Sequence, residues 1–190
     1  MNFLNKINIL CNNYDEEKCC LKDNAFLYGV FNSPPPLAKH IIFSPLPETT
    51  LLCITENYKC TFPTELLTIY QKMNGANLYW SIHQIGKKVC IPINYLSIYG
   101  IPRTNDRNCI EPFNISIEDL NRPNGTPDSW LKFGSYYRPE NVFNRFDLFI
   151  DTNLSKVYSI EHNNPDCRII ETWDSIDSCL CHIFDLLSQS

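Results

Sequence analysis

From Phe146 to Leu187 the chain alternates short apolar segments with polar turns and then closes on a helical stripe, and this run constrains the fold more than any other. Phe146-Asp147-Leu148-Phe149-Ile150 predicts a strand. Asp151 to Ser155 makes a turn, and Lys156 to Ile160 runs back beside it. A polar loop from His162 to Asp166 leads to a third strand over 167–173. Asp174 then caps a terminal helix. In that helix Ile176, Cys179, Leu180, Ile183, Phe184 and Leu187 form a continuous apolar stripe, which has to be buried against the strands. The chain therefore reads as α+β, a single domain built mainly as an antiparallel twisted sheet with helices packed on it.

The upstream sequence adds to this frame. Phe62 to Gly75 is the clearest helix, with Pro63 suited to the first helical position and Glu65 in the first turn. Leu66, Leu67, Ile69, Tyr70 and Met73 share one face, and Asn74-Gly75 ends the helix with Gly75 as a left-handed cap. A short helix with Leu51, Leu52 and Ile54 as its apolar side is expected after Pro47. Strands are expected at Leu78 to Ile82, Val89 to Ile91, Leu96 to Tyr99 and Trp130 to Phe133. The turn Gly86-Lys87-Lys88 separates the first two, and Gly134 stops the last. Residues 103–128 read as a long loop with a short helix near 115–120, and loops this long are often functional. Three consecutive prolines, Pro34 to Pro36, with Pro45 and Pro47, make residues 33–47 a poor place for regular structure. Residues 1–45 are accordingly an N-terminal arm packed on a domain at 46–190, with room for a β-hairpin or short strand in it. The apolar run Phe26 to Phe31 supplies its buried side.

No apolar run approaches the roughly 18 residues of a membrane span, and no secretory leader pattern opens the chain. The expected location is cytoplasmic. The ten cysteines then read as reduced, structural thiols, several of them inside predicted strands and helices. The net charge of −5 gathers in the last third, where residues 131–190 hold nine acids and five bases. Such a balance argues against direct nucleic-acid binding, which wants a basic footprint, and suits a basic protein partner.

The pieces in order resemble the SUKH superfamily, which includes fungal cell-wall assembly regulators and bacterial toxin-immunity proteins. A helix opens on Phe62-Pro63 and closes on Asn74-Gly75. A strand ends in Ile98-Tyr99-Gly100, and an apolar strand runs into Phe133-Gly134. An acidic strand with Phe146-Asp147 turns at Asp151 into Val157-Tyr158, and Trp173-Asp174-Ser175-Ile176 opens a final helix. The resemblance covers roughly 48–187. It implies a binding scaffold without a shared catalytic set, so no catalytic residue, cofactor or small-molecule substrate is expected.

Candidate sites follow from residue type. Cys179-x-Cys181-His182 has no zinc-like spacing on a helix, where i and i+2 diverge, and no metal is expected there. Asp147 and Asp151 share one face of a strand, with Glu161 expected near them across the hairpin, as a carboxylate cluster with two open uses, a cation or a basic toxin surface. Tyr136-Tyr137-Arg138 in an expected loop has the composition of an interface hot spot. The leading reading is a non-catalytic immunity protein that neutralises a toxin, a nuclease above all, by direct binding. A regulatory scaffold in signalling or cell-wall assembly and a Cys/His enzyme are the alternatives.

Overall fold

Nine strands follow one another in chain order across one open antiparallel sheet, so each strand pairs with its neighbours in sequence. The computed structural model describes residues 1–15, 19–31, 37–51, 62–85, 89–103, 109–113, 115, 125–164 and 166–189. The strands are β1 (Cys19–Lys22), β2 (Ala25–Phe31), β3 (Leu37–Phe43), β4 (Ala76–Ile85), β5 (Val89–Ile98), β6 (Trp130–Arg138), β7 (Asn141–Asp151), β8 (Val157–Glu161) and β9 (Ile169–Trp173). Among the described residues three helices, α1 (Phe3–Asn12), α2 (Thr64–Tyr70) and α3 (Ile176–Ser188), cover one face. Residues 48–51 are also helical. The architecture is the expected α+β sheet with helices on it. No helix among the described residues is long and apolar enough to cross a membrane.

The helices are tied together at their N-termini, where the first backbone N–H groups lack partners within the helix. Glu65 in the first turn of α2 accepts the Ile176 N–H of α3 at 2.7 Å. Asp177 in the first turn of α3 accepts the Phe3 N–H of α1 at 2.8 Å. Ser175, rather than Asp174, is the N-cap of α3, in a capping box with Ser178. Pro63 stands at the N-cap of α2, one position earlier than its missing N–H suggests. The whole predicted stripe of α3 is buried, and Phe3, Ile7, Leu66, Ile69 and Tyr70 join it over β4 to β8.

Several sequence breaks turn out to be accommodated inside strands. Residues 37–43 form β3 despite the flanking prolines, because they pair with β2 along their whole length. Residues 1–43 thus supply a helix and three strands of the same sheet. Pro92 lies within β5, facing Ile82 of β4, in the stretch before β6 begins to pair; a strand can hold proline where one side has no ladder. Gly134 lies inside β6 instead of ending it, beside a register shift between Lys132 and Gly134. Tyr136, Tyr137 and Arg138 likewise belong to β6 and not to a loop. The turn at Gly86 to Lys88, the triple proline, Leu52, Ile54 and the helix expected near 115–120 fall outside the described residues, apart from Ile115, which is buried in the core.

Candidate functional site

Two seams in the sheet are narrow. β3 joins β4 through Ile41 opposite Asn77 and Ile42 opposite Ala76. β5 joins β6 through Leu96, Ser97 and Ile98 opposite Tyr136, Ser135 and Gly134. The motif pairs Asn74-Gly75, Tyr99-Gly100 and Phe133-Gly134 reinforce these seams. Asn74 accepts the Ile101 N–H at 2.8 Å and donates to the Ile101 carbonyl at 2.7 Å, so its amide side chain replaces a missing strand pair. Its own N–H donates to the Phe43 carbonyl, and Phe43 N–H donates to Gly75. Gly75 has φ +88°, and a Cβ there would stand 2.6 Å from the Ile98 carbonyl oxygen. At Gly100 a Cβ would stand 2.2 Å from the Asn74 carbonyl oxygen, and at Gly134 2.7 Å from that of Ser97. Tyr70 OH donates to the Tyr99 carbonyl at 2.9 Å, and Tyr99 N–H to Phe133 at 2.8 Å. These motifs therefore build close backbone contacts rather than a reactive centre.

The sheet face opposite the described helices carries the chemistry. Its two ends are apolar: Ala25, Leu27, Ala38 and Phe43 at one, Trp130, Phe149 and Ile160 at the other. Between them Asn77, Ser97, Ser135 and Asp147 stand directly opposite one another on β4, β5, β6 and β7. All four are buried. A transverse row of buried polar side chains costs stability unless its groups are bonded or used.

The row ends in an ion cluster. Asp147, 2% exposed, accepts Lys132 Nζ at 2.9 Å and lies 2.8 Å from His162 Nδ1. Arg145 Nε is 3.2 Å from the other Asp147 oxygen but off the line of a hydrogen bond, so that contact is charge attraction alone. Arg145 also donates to Tyr99 OH, which in turn donates to Ser135 Oγ at 3.3 Å. Lys132 Nζ lies 5.9 Å from the centre of the Tyr99 ring. Burial disfavours the charged Arg145, but the Tyr99, Asp147 and Tyr137 oxygens outweigh it and hold the guanidinium above its ordinary pKa. Above this cluster opens a cavity of about 180 Å³. Ser97 and Ser135 form its floor, Tyr99, Phe113 and Tyr137 its walls, and Arg145 its charged side.

A family model, described as SMI1 / KNR4 family (SUKH-1), matches residues 45–181. The chain belongs to that family. No curated protein and no solved structure matches it. The SMI1/KNR4 match begins just after β3, so α1 and β1 to β3 precede it, although they share its sheet and core.

Within this SUKH-1 domain the expected contact residues separate. Tyr136 is buried on the helix side, stacked on Phe146, with its hydroxyl pushed up to about 12 by burial. Tyr137 faces the open side, and Arg138 turns back over Phe146 to pair with Glu171. Asp147 and Asp151 do share the open face, yet both are buried. Asp151 accepts the Trp130 indole N–H at 3.2 Å and the Asn153 N–H at 2.9 Å, closing the β7–β8 hairpin. Glu161 stands opposite Phe146 and so projects to the helix side, away from both aspartates. The three carboxylates thus form no common patch.

Lys132, Arg145, His162, Ser97 and Phe113 escaped the sequence reading. Arg145 had a usable signal, since it sits two residues before Asp147 on one strand. Lys132 had none, because the register shift in β6 decides which face it meets. Cys179 is buried in the core, where burial pushes its thiol well up, while Cys181 lies near Asp177 and the Met1 carbonyl. The two thiols do not share a site, and no metal-holding group of three His, Cys, Asp or Glu occurs among the described residues.

Proposed function

We propose that this SUKH-1 domain is a non-catalytic protein-binding module whose partner docks over β5 to β8 on the sheet face opposite the described helices. The observation that carries this reading is the buried polar row with its cavity, ringed by exposed Phe113 and half-buried Tyr137 and Arg145. Aromatic and arginine side chains around a recess are the composition that dominates binding energy at protein interfaces. Tyr137 makes direct contact, Asp147 and Asp151 hold the surface from within it, and Arg138 and Glu161 belong to the opposite side.

Our finer reading is an immunity role in the cytoplasm, in which the partner is a toxin, a basic nuclease above all. The net charge of −5 favours encounter with a basic protein, whereas the cavity governs the final contact. Co-expression with any toxin encoded beside the gene tests both levels. Protection is expected, and Phe113→Asp or Tyr137→Asp should abolish it while the melting temperature stays within a few degrees. Absence of protection removes the toxin reading. Protection untouched by both substitutions removes the sheet face.

A further inference from the structure

We propose that the Arg145 cavity is a carboxylate-binding subsite, filled in the complex by an Asp or Glu side chain of the protein partner. The inference deepens the sheet-face reading and rests on it for the source of the carboxylate, but not for the chemistry of the cavity.

Charge sets the sign of the ligand. Arg145 is the charged side chain among the residues that line the cavity, and Asp147, which Lys132 and His162 engage through one oxygen, lies behind it and outside the lining. The cavity therefore presents a guanidinium to an entering ligand within an acidic protein. Low-dielectric walls strengthen the attraction of an entering anion. Arg145 retains side-chain exposure of 29%, and the cavity opens on it.

Shape and donors narrow the class. The cavity of about 180 Å³ admits a carboxylate with a short stem, and Tyr137 and Phe113 provide apolar walls for that stem. The Ser97, Ser135 and Tyr137 hydroxyls can donate beside a planar guanidinium, whose fork suits a carboxylate. A phosphate dianion fits less well. The cavity offers one arginine as its own cation, and the Asp147 charge lies directly behind it. The polar row then acquires a use. Serines at 97 and 135 pack poorly in the middle of a sheet face, but they leave the floor low enough for a ligand and supply hydroxyls to it.

Nuclear magnetic resonance on the full chain reads this directly through the Arg145 side-chain N–H signal. N-acetylglutamate is the probe, with neutral N-acetylglutamine and inorganic phosphate as comparisons. A saturable shift with N-acetylglutamate, at least fivefold weaker with the other two, is expected. Arg145→Gln should abolish the response read at Tyr137, and Arg145→Lys should weaken it several-fold while retaining the charge. No saturable shift, or equal shifts with the glutamine analogue or with phosphate, overturns the subsite whatever the partner does. For the source, Arg145→Gln should weaken the partner complex at least tenfold, and N-acetylglutamate should compete with that complex. Probe binding with an unchanged complex overturns the side-chain source and leaves a free carboxylate as the ligand. Failure of Phe113→Asp and Tyr137→Asp to affect the complex, with probe binding intact, overturns the sheet-face reading and with it the side-chain source, and leaves the carboxylate chemistry of the cavity standing.

Discussion

The two faces of the sheet solve opposite problems. Under the helices, one apolar cluster runs from Phe3 and Ile7 through Leu66 and Tyr70 to Leu180 and Leu187, and stability comes from packing. On the open face, two small apolar clusters are parted by Asn77, Ser97, Ser135, Lys132 and Asp147, all buried. An apolar filling there would be the more stable choice, since buried ion pairs rarely outdo well-packed hydrocarbon. The difference teaches where to look for function. The face that keeps charges in its middle while its ends are apolar is the one we propose for recognition.

Substitutions can break or sharpen this contrast. The largest effect is expected for Asp147→Ala, which leaves Lys132 and Arg145 facing each other without their shared anion. A loss of about 3–5 kcal/mol should appear in urea unfolding. A loss under about 1 kcal/mol would show that the cluster is hydrated and that the face is not a buried polar site. On the helix side, Leu180→Ala should cost about 3 kcal/mol by transfer and cavity formation, without changing probe binding at Arg145.

His40 provides a pH test outside the open face. It is buried, and its Nδ1 accepts the Tyr79 N–H at 3.1 Å while Nε2 lies 2.8 Å from Tyr14 OH. Tyr79 has φ +56° in a part of β4 where the strand ladder passes over it, so the imidazole serves a backbone group the sheet leaves out. Because Nδ1 accepts, the proton of the neutral ring sits on Nε2. Burial, with Lys39 nearby, lowers the His40 pKa to about 4. A lowered histidine binds fewer protons folded than unfolded. Its contribution is therefore whole above about pH 6.5 and is lost as the pH falls towards about 4, by on the order of 3 kcal/mol. Urea midpoints across that window should fall in the wild type and fall less in His40→Asn. Equal slopes would place the acid sensitivity elsewhere.

The smallest effect sharpens the comparison most. Arg145→Gln should change stability by less than about 1 kcal/mol, because the Lys132–Asp147 pair survives it, yet it should remove the carboxylate response. A large stability loss would make Arg145 a structural member of the cluster.

Much of the fold was legible because its signals are local. The α3 stripe needs only helical period, and every residue of it is buried as expected. The β7–β8 hairpin needs only composition and spacing. Gly75 is the left-handed position that Asn74-Gly75 announces. The candidate site was far less legible, because its members meet through register. Glu161 resembles a neighbour of Asp147 on the return strand, but its cross-strand partner is Phe146, which sends it to the other side. Pro92 and Gly134 read as strand ends, whereas a one-sided ladder and a close approach to Ser97 hold them inside strands. Asp147 and Asp151 look like surface carboxylates until Lys132 and Trp130 are brought over them.

The sequence by itself determined the α+β class, the terminal helix and its buried stripe, and the motifs that carry the SUKH-1 resemblance. Those follow from periodicity and turn chemistry within short windows. Only the tertiary structure decided that the three glycine motifs brace the narrow seams, that residues 1–43 extend the sheet, and that Arg145 opens onto a cavity above a polar row. Each of these depends on which residue lies across from which, and a shift of one position reverses the face of every side chain.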